Sequence, residues 1–504
     1  MSRPRLKFHR HSVVLLLTLL LLLLPSTSAL AHGGDGEPSP MAGPLAWGFM
    51  GFGVFVILAV SVVLLTGSPR AASSAGVHAA YQLSGLRGYL AKMRYFSRNA
   101  RLYMVHVVGM DVIYGSWAVL FNLYLLAVGY DIEFIGLRIL LGSLASGLTA
   151  LPAGMLSDRI GRKLSFVLGD GLGALMSLIA ISTQSEPLLL VTAVIGGVFS
   201  SLHGVAEPAF MAENSENYER VHLFSVSSGT STAAAIIGSA LAGLVPLLLA
   251  SAEGVDKVGL YRSVAYVGIG GWFASLIPAV MLQQVTDHRP AARLDLRRLF
   301  ANVRHPSLIF KLTLPEVLVG FGAGFALPLM NVFFKIGVGS EEIEIGAVFA
   351  AGQAFLVVGS FLAPFVAARL GKVGSVLLTR AASIPFILLM GFSLELGSGP
   401  VSVLSIASLA YIARITLMNM ASPVRSAFAM EILDPGERGT QVGLEQALWS
   451  GLSGVAGYLG ARMMEAGDFT SPFILMGGLY LLAVIVFWRF FSGQERELAA
   501  QGVD

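Results

Sequence analysis

The sequence predicts an all-α polytopic membrane protein: two pseudo-symmetric six-helix bundles, preceded by an extra N-terminal transmembrane helix. Three observations carry this. Charged residues make up only 12% of the chain, against roughly 25% in a soluble domain. Apolar runs of about 20 residues, long enough to cross a bilayer as helices, recur from end to end. Loop residues of the first half return in the second at a nearly constant spacing. The formal net charge is only +3, so nucleic acid is not an expected partner, and the basic residues gather in particular loops, which is a topology signal. There is no cysteine, hence no disulfide and no thiol chemistry.

Residues 1–31 combine a basic head (Arg3, Arg5, Lys7, Arg10), a leucine-rich run, and Ala29-Leu30-Ala31. That pattern is either a cleaved signal peptide or an uncleaved signal anchor. The extra helix, about 47–66, returns across the membrane. It leads into 67–101, where Arg70, Arg87, Lys92, Arg94, Arg98 and Arg101 stand without an acid. The positive-inside rule puts this segment in the cytoplasm. Leu83, Leu86, Leu90 and Met93 recur at helical spacing, as expected of an amphipathic helix lying on anionic lipid.

Twelve apolar spans follow, beginning near residue 102, 133, 164, 187, 221, 258, 306, 342, 373, 399, 440 and 470. The first six make an N-terminal bundle over 102–283. A cytoplasmic loop, 284–305, holds Arg289, Arg293, Arg297, Arg298 and Arg304. The last six make a C-terminal bundle over 306–492, and 493–504 is a cytoplasmic tail. The halves repeat. Gly129 and Gly136 return as Gly339 and Gly346, and Gly161 returns as Gly371, each 210 residues on. Glu213 and Arg220 return as Glu431 and Arg438, 218 residues on. Internal duplication is characteristic of secondary transporters, whose substrate site lies between the repeats.

Between the second and third spans stands Gly154-Met155-Leu156-Ser157-Asp158-Arg159-Ile160-Gly161-Arg162-Lys163. Four formal charges in ten residues belong at a membrane surface rather than in lipid. Two glycines are expected to allow a tight approach there. This turn resembles the Gly-x-Leu-x-Asp-Arg-x-Gly-Arg-Lys loop of the major facilitator superfamily, and the resemblance covers roughly 102–492. It implies that fold and a cytoplasmic gate containing Gly154, Asp158, Arg159, Gly161, Arg162 and Lys163. The Glu213…Arg220 and Glu431…Arg438 pairs resemble the Glu-x6-Arg elements of sugar porters. Asp158, Arg159 and Arg162 are expected to cross-link with Glu213 and Arg220. The second copy keeps Arg369 and Gly371 but has Ala368 in place of the acid, so the gate is expected to be electrostatically lopsided. Sugar-porter and drug-antiporter signatures in the fourth, fifth and seventh spans are absent, and neither substrate class is supported.

Ionisable residues inside spans mark function, because each costs roughly 2.5–3.5 kcal/mol to insert. Asp111 in the first span is the foremost proton-coupling candidate, the other reading being a structural hydrogen bond. Glu207, beside Pro208, and Glu316, whose repeat mate is His106, are further candidates. Arg414 and Asn419 in the tenth span are substrate-cavity candidates, Arg414 offering a fork for an anionic solute or a partner for Asp111 or Glu316. Arg138 in the second span is the other buried-cation candidate, the alternative being that, near the outer end, it snorkels. Tyr114, Trp117, Phe121 and Trp449 either line the cavity or pack.

The function expected is secondary active transport of a small solute by alternating access, coupled to protons, in a monomer of the plasma membrane with its C-terminus in the cytoplasm. The alternative is a non-transporting sensor or scaffold with the same fold. No enzyme activity, cofactor or metal site is expected, and no Gly-x4-Gly-Lys-Ser/Thr loop suggests ATP drive.

Overall fold

In the computed structural model, the described residues are Met93, 96–215, 220–249, 256–284, 303–397, 402–434 and 437–493. The signal segment 1–31, the extra helix 47–66, most of 67–101, most of the loop 284–305 and nearly all of the tail lie outside them.

The described chain is helical. The first half holds α1 (Arg98–Val128), α2 (Ile132–Ile160), α3 (Arg162–Ser182), α4 (Glu186–Glu213), α5 (Arg220–Leu249) and α6 (Lys257–Val280). The second opens with α7 (Pro306–Gly324), which continues through a 3-10 turn (Leu327–Leu329) and a π turn (Phe333–Gly337). Next comes Glu342–Leu396, in which Gly371 breaks the helix into α8 (342–370) and α9 (372–396). The chain ends in α10 (Val403–Ile432), α11 (Arg438–Glu465) and α12 (Ser471–Phe491).

Local chemistry sets the boundaries. Ser97 caps α1 by accepting from the Ala100 amide, Asp131 caps α2 by accepting from Phe134, and Asp256 caps α6 by accepting from Gly259. Each satisfies an amide that would otherwise be orphaned at a helix start. Gly161 and Gly371 have φ of +87° and +73°, a region open to glycine at little cost. Their common spacing in the sequence is thus a common backbone turn. Capping by Ser97 starts the first helix at Arg98, four residues before the expected span.

Eleven of the described helical stretches are long and apolar enough to cross a membrane. α11 is long enough but too polar to join them. It carries Gln441, Glu445 and Gln446 and packs against α2 and α7. Expecting an apolar eleventh span was therefore wrong: Glu445 is paired with Arg425 of α10, while Gln446 is exposed and bonds Ser450 of its own helix.

Within the first half α1 packs on α5 and α6, α2 on α4, and α3 on α4 and α6. Within the second, α7 packs on α11 and α12, and the α8–α9 segment on α10 and α12. Two crossings join the halves, α2 with α11 and α5 with α8. Repeat-mate glycines sit at these crossings. A Cβ on Gly136 would lie 2.3 Å from the Ala461 methyl, and one on Gly346 would lie 2.7 Å from the Ser239 carbonyl. Only bare backbone permits such contact between helices.

A large apolar core runs through both halves, and a smaller cluster lies toward the motif end of each. Tyr103, Phe166 and Phe210 centre the first small cluster; Val376, Phe428 and Phe491 belong to the second. Met93 is buried in the first. That corrects its expected place on a lipid-facing stripe; Leu83, Leu86 and Leu90 lie outside the described residues.

Candidate functional site

The charged turn comes first. Arg162 opens α3 and Glu213 closes α4. The Arg162 guanidinium lies 2.6 Å from Asp158 and 2.9 Å from Glu213, and donates to the Ser157 hydroxyl at 2.9 Å. One planar fork thus ties together the ends of three helices. The repeat counterpart is Lys372, which opens α9 and pairs with Glu431 near the end of α10. It has one partner where Arg162 has three, because Ala367 and Ala368 replace Ser157 and Asp158.

Sequence reasoning placed Arg369 in this gate and passed over Lys372; the spacing from Arg162 would have identified it. Among the described residues, Arg159, Lys163 and Arg369 make no ion pair. Arg220 does not complete the expected cross-link. It donates to the Ala212 and Ser215 carbonyls, and Arg438 donates to the Leu433 carbonyl. Both arginines therefore close the C-terminal end of the preceding helix, where exposed carbonyls favour a cation. Gly154 has open space where its Cβ would stand. The tight turn belongs to Gly161 alone.

Polar contacts joining the two halves gather at the other end. Tyr458 donates to Glu133 at 2.7 Å, and the Ile132 amide donates to Glu465 at 2.7 Å. Tyr261 donates to Glu342, and Asn122 bonds Asn331 at 2.9 Å. At the motif end, Arg162 and Lys372 turn to partners in their own halves.

Between these ends lies a pair of buried polar clusters. In the first half, His106 (α1), Asp170 (α3) and His203 (α4) meet. His106 Nε2 and His203 Nδ1 each lie 2.9 Å from the same Asp170 oxygen. Nδ1 of His106 lies 2.9 Å from the Ser275 carbonyl of α6. Glu207, one turn along α4, is 4.0 Å from His203 Nε2. In the second half, Glu316 (α7) lies 2.7 Å from Arg380 (α9) and 3.3 Å from Arg425 (α10). Arg425 also bonds both oxygens of Glu445 (α11), at 2.7 and 3.1 Å.

The clusters are repeat mates. Asp170 and Arg380 share the 210-residue spacing of His106 and Glu316, and Glu207 and Arg425 share the 218-residue spacing. At 1.5 Å per residue, all of them lie about 9–15 Å in from the motif end. Sequence reasoning missed Asp170, His203, Arg380, Arg425 and Glu445. The signal was available for Asp170, Arg380 and Arg425, because charges inside spans sit at both offsets; His203 and Glu445 have no charged repeat mate. Glu316 does not suit the proton-carrier role expected for it, since two guanidinium groups already hold its carboxylate.

The remaining candidates divide. Asp111 is buried near the middle of α1, facing Ser231 of α5. Tyr114, one turn on, is 66% exposed in mid-helix and lies within electrostatic reach of Tyr411 on α10. It projects into space between the halves. Trp117 stacks on Phe121 at 4.0 Å, and both line a small cleft inside the first half, closed by Tyr124, Ile181 and Tyr261. Arg138 does not snorkel: its guanidinium stands 4.2 Å over the Phe121 ring. Trp449 fills the space left by the missing side chain of Gly320. Arg414 donates to the Tyr480 hydroxyl at 2.6 Å, a contact within the second half that replaces the expected pairing with Asp111 or Glu316. Asn419 bonds the Ile415 carbonyl of its own helix.

Residues 104–457 match the family model described as Major Facilitator Superfamily. Similar folds occur among solved structures. The nucleoside transporter NupG is 15% identical, with a TM-score of 0.59 over 78% of this chain and 98% of that one. A bacterial homologue of the iron transporter ferroportin, in an inward-facing state, is 15% identical, with a TM-score of 0.62 over 78% and 98%. A D-xylose–proton symporter is 14% identical, with a TM-score of 0.60 over 78% and 97%. No curated protein sequence matches the chain.

Proposed function

The chain belongs to the Major Facilitator Superfamily, and we propose that it is a secondary active transporter that carries a small solute across the cell membrane by alternating access. The observation that carries this is the uneven distribution of polar contacts. The halves are tied by Glu133, Glu342, Asn331 and Glu465 at one end. At the motif end the ion pairs close within each half. Such an arrangement supports two bundles of six helices that rock about a site near the midplane. The basic segment 67–101 supports a cytoplasmic motif end, which makes this conformation inward-open. The same rule supports a cytoplasmic C-terminus.

Protons are the coupling ion, with Asp111 as the carrier. It is buried at mid-membrane depth, one turn from Tyr114 at the inter-bundle space, and has no cation beside it among the described ion pairs. A desolvated carboxylate of that kind binds and releases a proton readily. Its partner Ser231 lies on α5, one of the helices at the crossings between halves, so protonation is placed to act on the rocking motion.

Uptake of labelled solutes into proteoliposomes, with and without an imposed pH gradient, tests this. A panel of nucleosides, pentoses and organic anions is the starting set. Gradient-driven accumulation of at least one solute is expected, and none across a broad panel would sink the transporter reading. Asp111→Asn is expected to abolish driven uptake while sparing counterflow exchange. Unchanged driven uptake would remove Asp111 from the coupling step.

A further inference from the structure

We propose that His106, Asp170 and His203 bind one divalent transition-metal ion of the zinc class, with Glu207 as the outer partner of His203. The first reason is convergence. Three helices each bring one ligand atom to a single point, and these atoms lie within 4.8 Å of one another. His106 and Asp170 are almost fully buried and His203 nearly so. Phe166 and Tyr103 wall the cluster, the Phe166 ring standing 5.2 Å from that of His203. An imidazole pair with a carboxylate is a common zinc ligand set, completed by a fourth ligand.

The second reason is the hydrogen-bonding pattern. The Ser275 carbonyl can only accept, so His106 Nδ1 donates to it at 2.9 Å. In a neutral ring, Nε2 then presents a lone pair to the Asp170 carboxylate 2.9 Å away. A separation of 2.9 Å leaves room for a proton between them, so a metal ion bound here stands to one side, where it faces both the imidazole lone pair and the carboxylate. Metal-binding histidines regularly donate their second nitrogen to a carbonyl or carboxylate, which fixes the tautomer. His106 has the Ser275 carbonyl in that role, and His203 has Glu207 at 4.0 Å.

The third reason comes from the repeat. In the second half, two acids, Glu316 and Glu445, are balanced by two guanidiniums, Arg380 and Arg425. The first half places Asp170 and Glu207 at the positions of those arginines, and no lysine or arginine joins the cluster among the described ion pairs. No guanidinium or ammonium therefore occupies the place between Asp170 and the two rings, and a divalent ion fits that place.

The test uses purified full-length protein in detergent, stripped with chelator, loaded with Zn2+ or Co2+, and passed through gel filtration. The proposal expects retention of about one ion per chain, and a cobalt visible spectrum of a low-coordinate nitrogen–oxygen site. Asp170→Asn and His203→Gln should each lower zinc affinity by more than a hundredfold, and Glu207→Gln by about 10–100-fold. His305→Ala removes an exposed group beside Asp434 and Glu437 and should leave retention unchanged. If the ligand variants fail to fold, the wild-type cobalt spectrum and Glu207→Gln decide the matter. No retained ion in the wild type, or undiminished retention in both Asp170→Asn and His203→Gln, overturns the proposal. Metal retention is read without any transport step, so its failure is separable from failure of the transporter reading.

Discussion

The two buried clusters occupy equivalent places in the two halves and solve one problem with different chemistry. Glu316, Arg380, Arg425 and Glu445 form a chain of permanent charges, because a guanidinium does not lose its proton in a protein. His106, Asp170, His203 and Glu207 include no guanidinium, and imidazole and carboxylate are groups that can ligate a metal ion. The difference teaches that the duplication preserved the position of a buried polar cluster but not its charges. The second half is read as a fixed strut between α7, α9, α10 and α11, and the first as the place for the proposed ion.

The sharpest way to break the comparison is to leave a permanent charge stranded. Glu316→Gln strands Arg380 and weakens the hold on Arg425. Loss of one partner of a buried pair costs about 3–5 kcal/mol, so a large drop in unfolding temperature in detergent is expected. Asp170→Asn should cost clearly less, because it leaves no guanidinium without a partner. Equal losses would show that the two clusters are alike in kind.

A smaller effect is expected at the membrane surface. Asp158→Asn removes one of three contacts of Arg162, whereas Ala368→Asp adds an acid near a Lys372 that already has Glu431. Exposed pairs of this type contribute only about 0–1 kcal/mol, so the readout is transport rate rather than stability. Asp158→Asn should slow uptake markedly while Ala368→Asp changes it little. The reverse order would make the second copy the working gate.

The smallest effect concerns Glu437, at the start of α11. It accepts from the His305 and Arg304 amides and from the His305 ring. Those bonds, the His305 amide first, hold its carboxyl below the usual range. A depressed carboxyl contributes stability above its unfolded pKa and loses it as pH falls through the folded value. Wild type should therefore exceed Glu437→Gln in thermal stability at neutral pH, with the gap closing in acid. A gap that widens in acid would refute this.

Much of the fold was legible because lipid imposes a strong rule: apolar runs of sufficient length become helices. α11 escaped that rule, since Glu445 is satisfied by Arg425 of the neighbouring α10, which hydropathy does not register, and Gln441 donates to Glu445 within its own helix. The charged turn was legible as well, because Gly161 and Gly371 share a backbone conformation as well as a spacing. The partners of Arg162 were only half legible. Glu213 lies 51 residues away at the end of another helix, and Arg220, the expected participant, caps its own neighbourhood instead.

What the sequence by itself determined is the class of molecule, most of its helical spans and its duplication, since each follows from periodicity, composition and local turn chemistry; its family is carried by the resemblance of the motif at 154–163. Which buried charges meet was decided by the tertiary structure alone. Asp170 and His203 are 33 residues apart, and Glu316 and Arg380 are 64 apart. Whether such residues touch depends on how helices rotate and cross, and that is set by packing at sites such as Gly136 and Gly346. A hydrophobic pattern says which residues enter a membrane; the side chains that neutralise one another there are fixed by the contact surfaces of several helices at once.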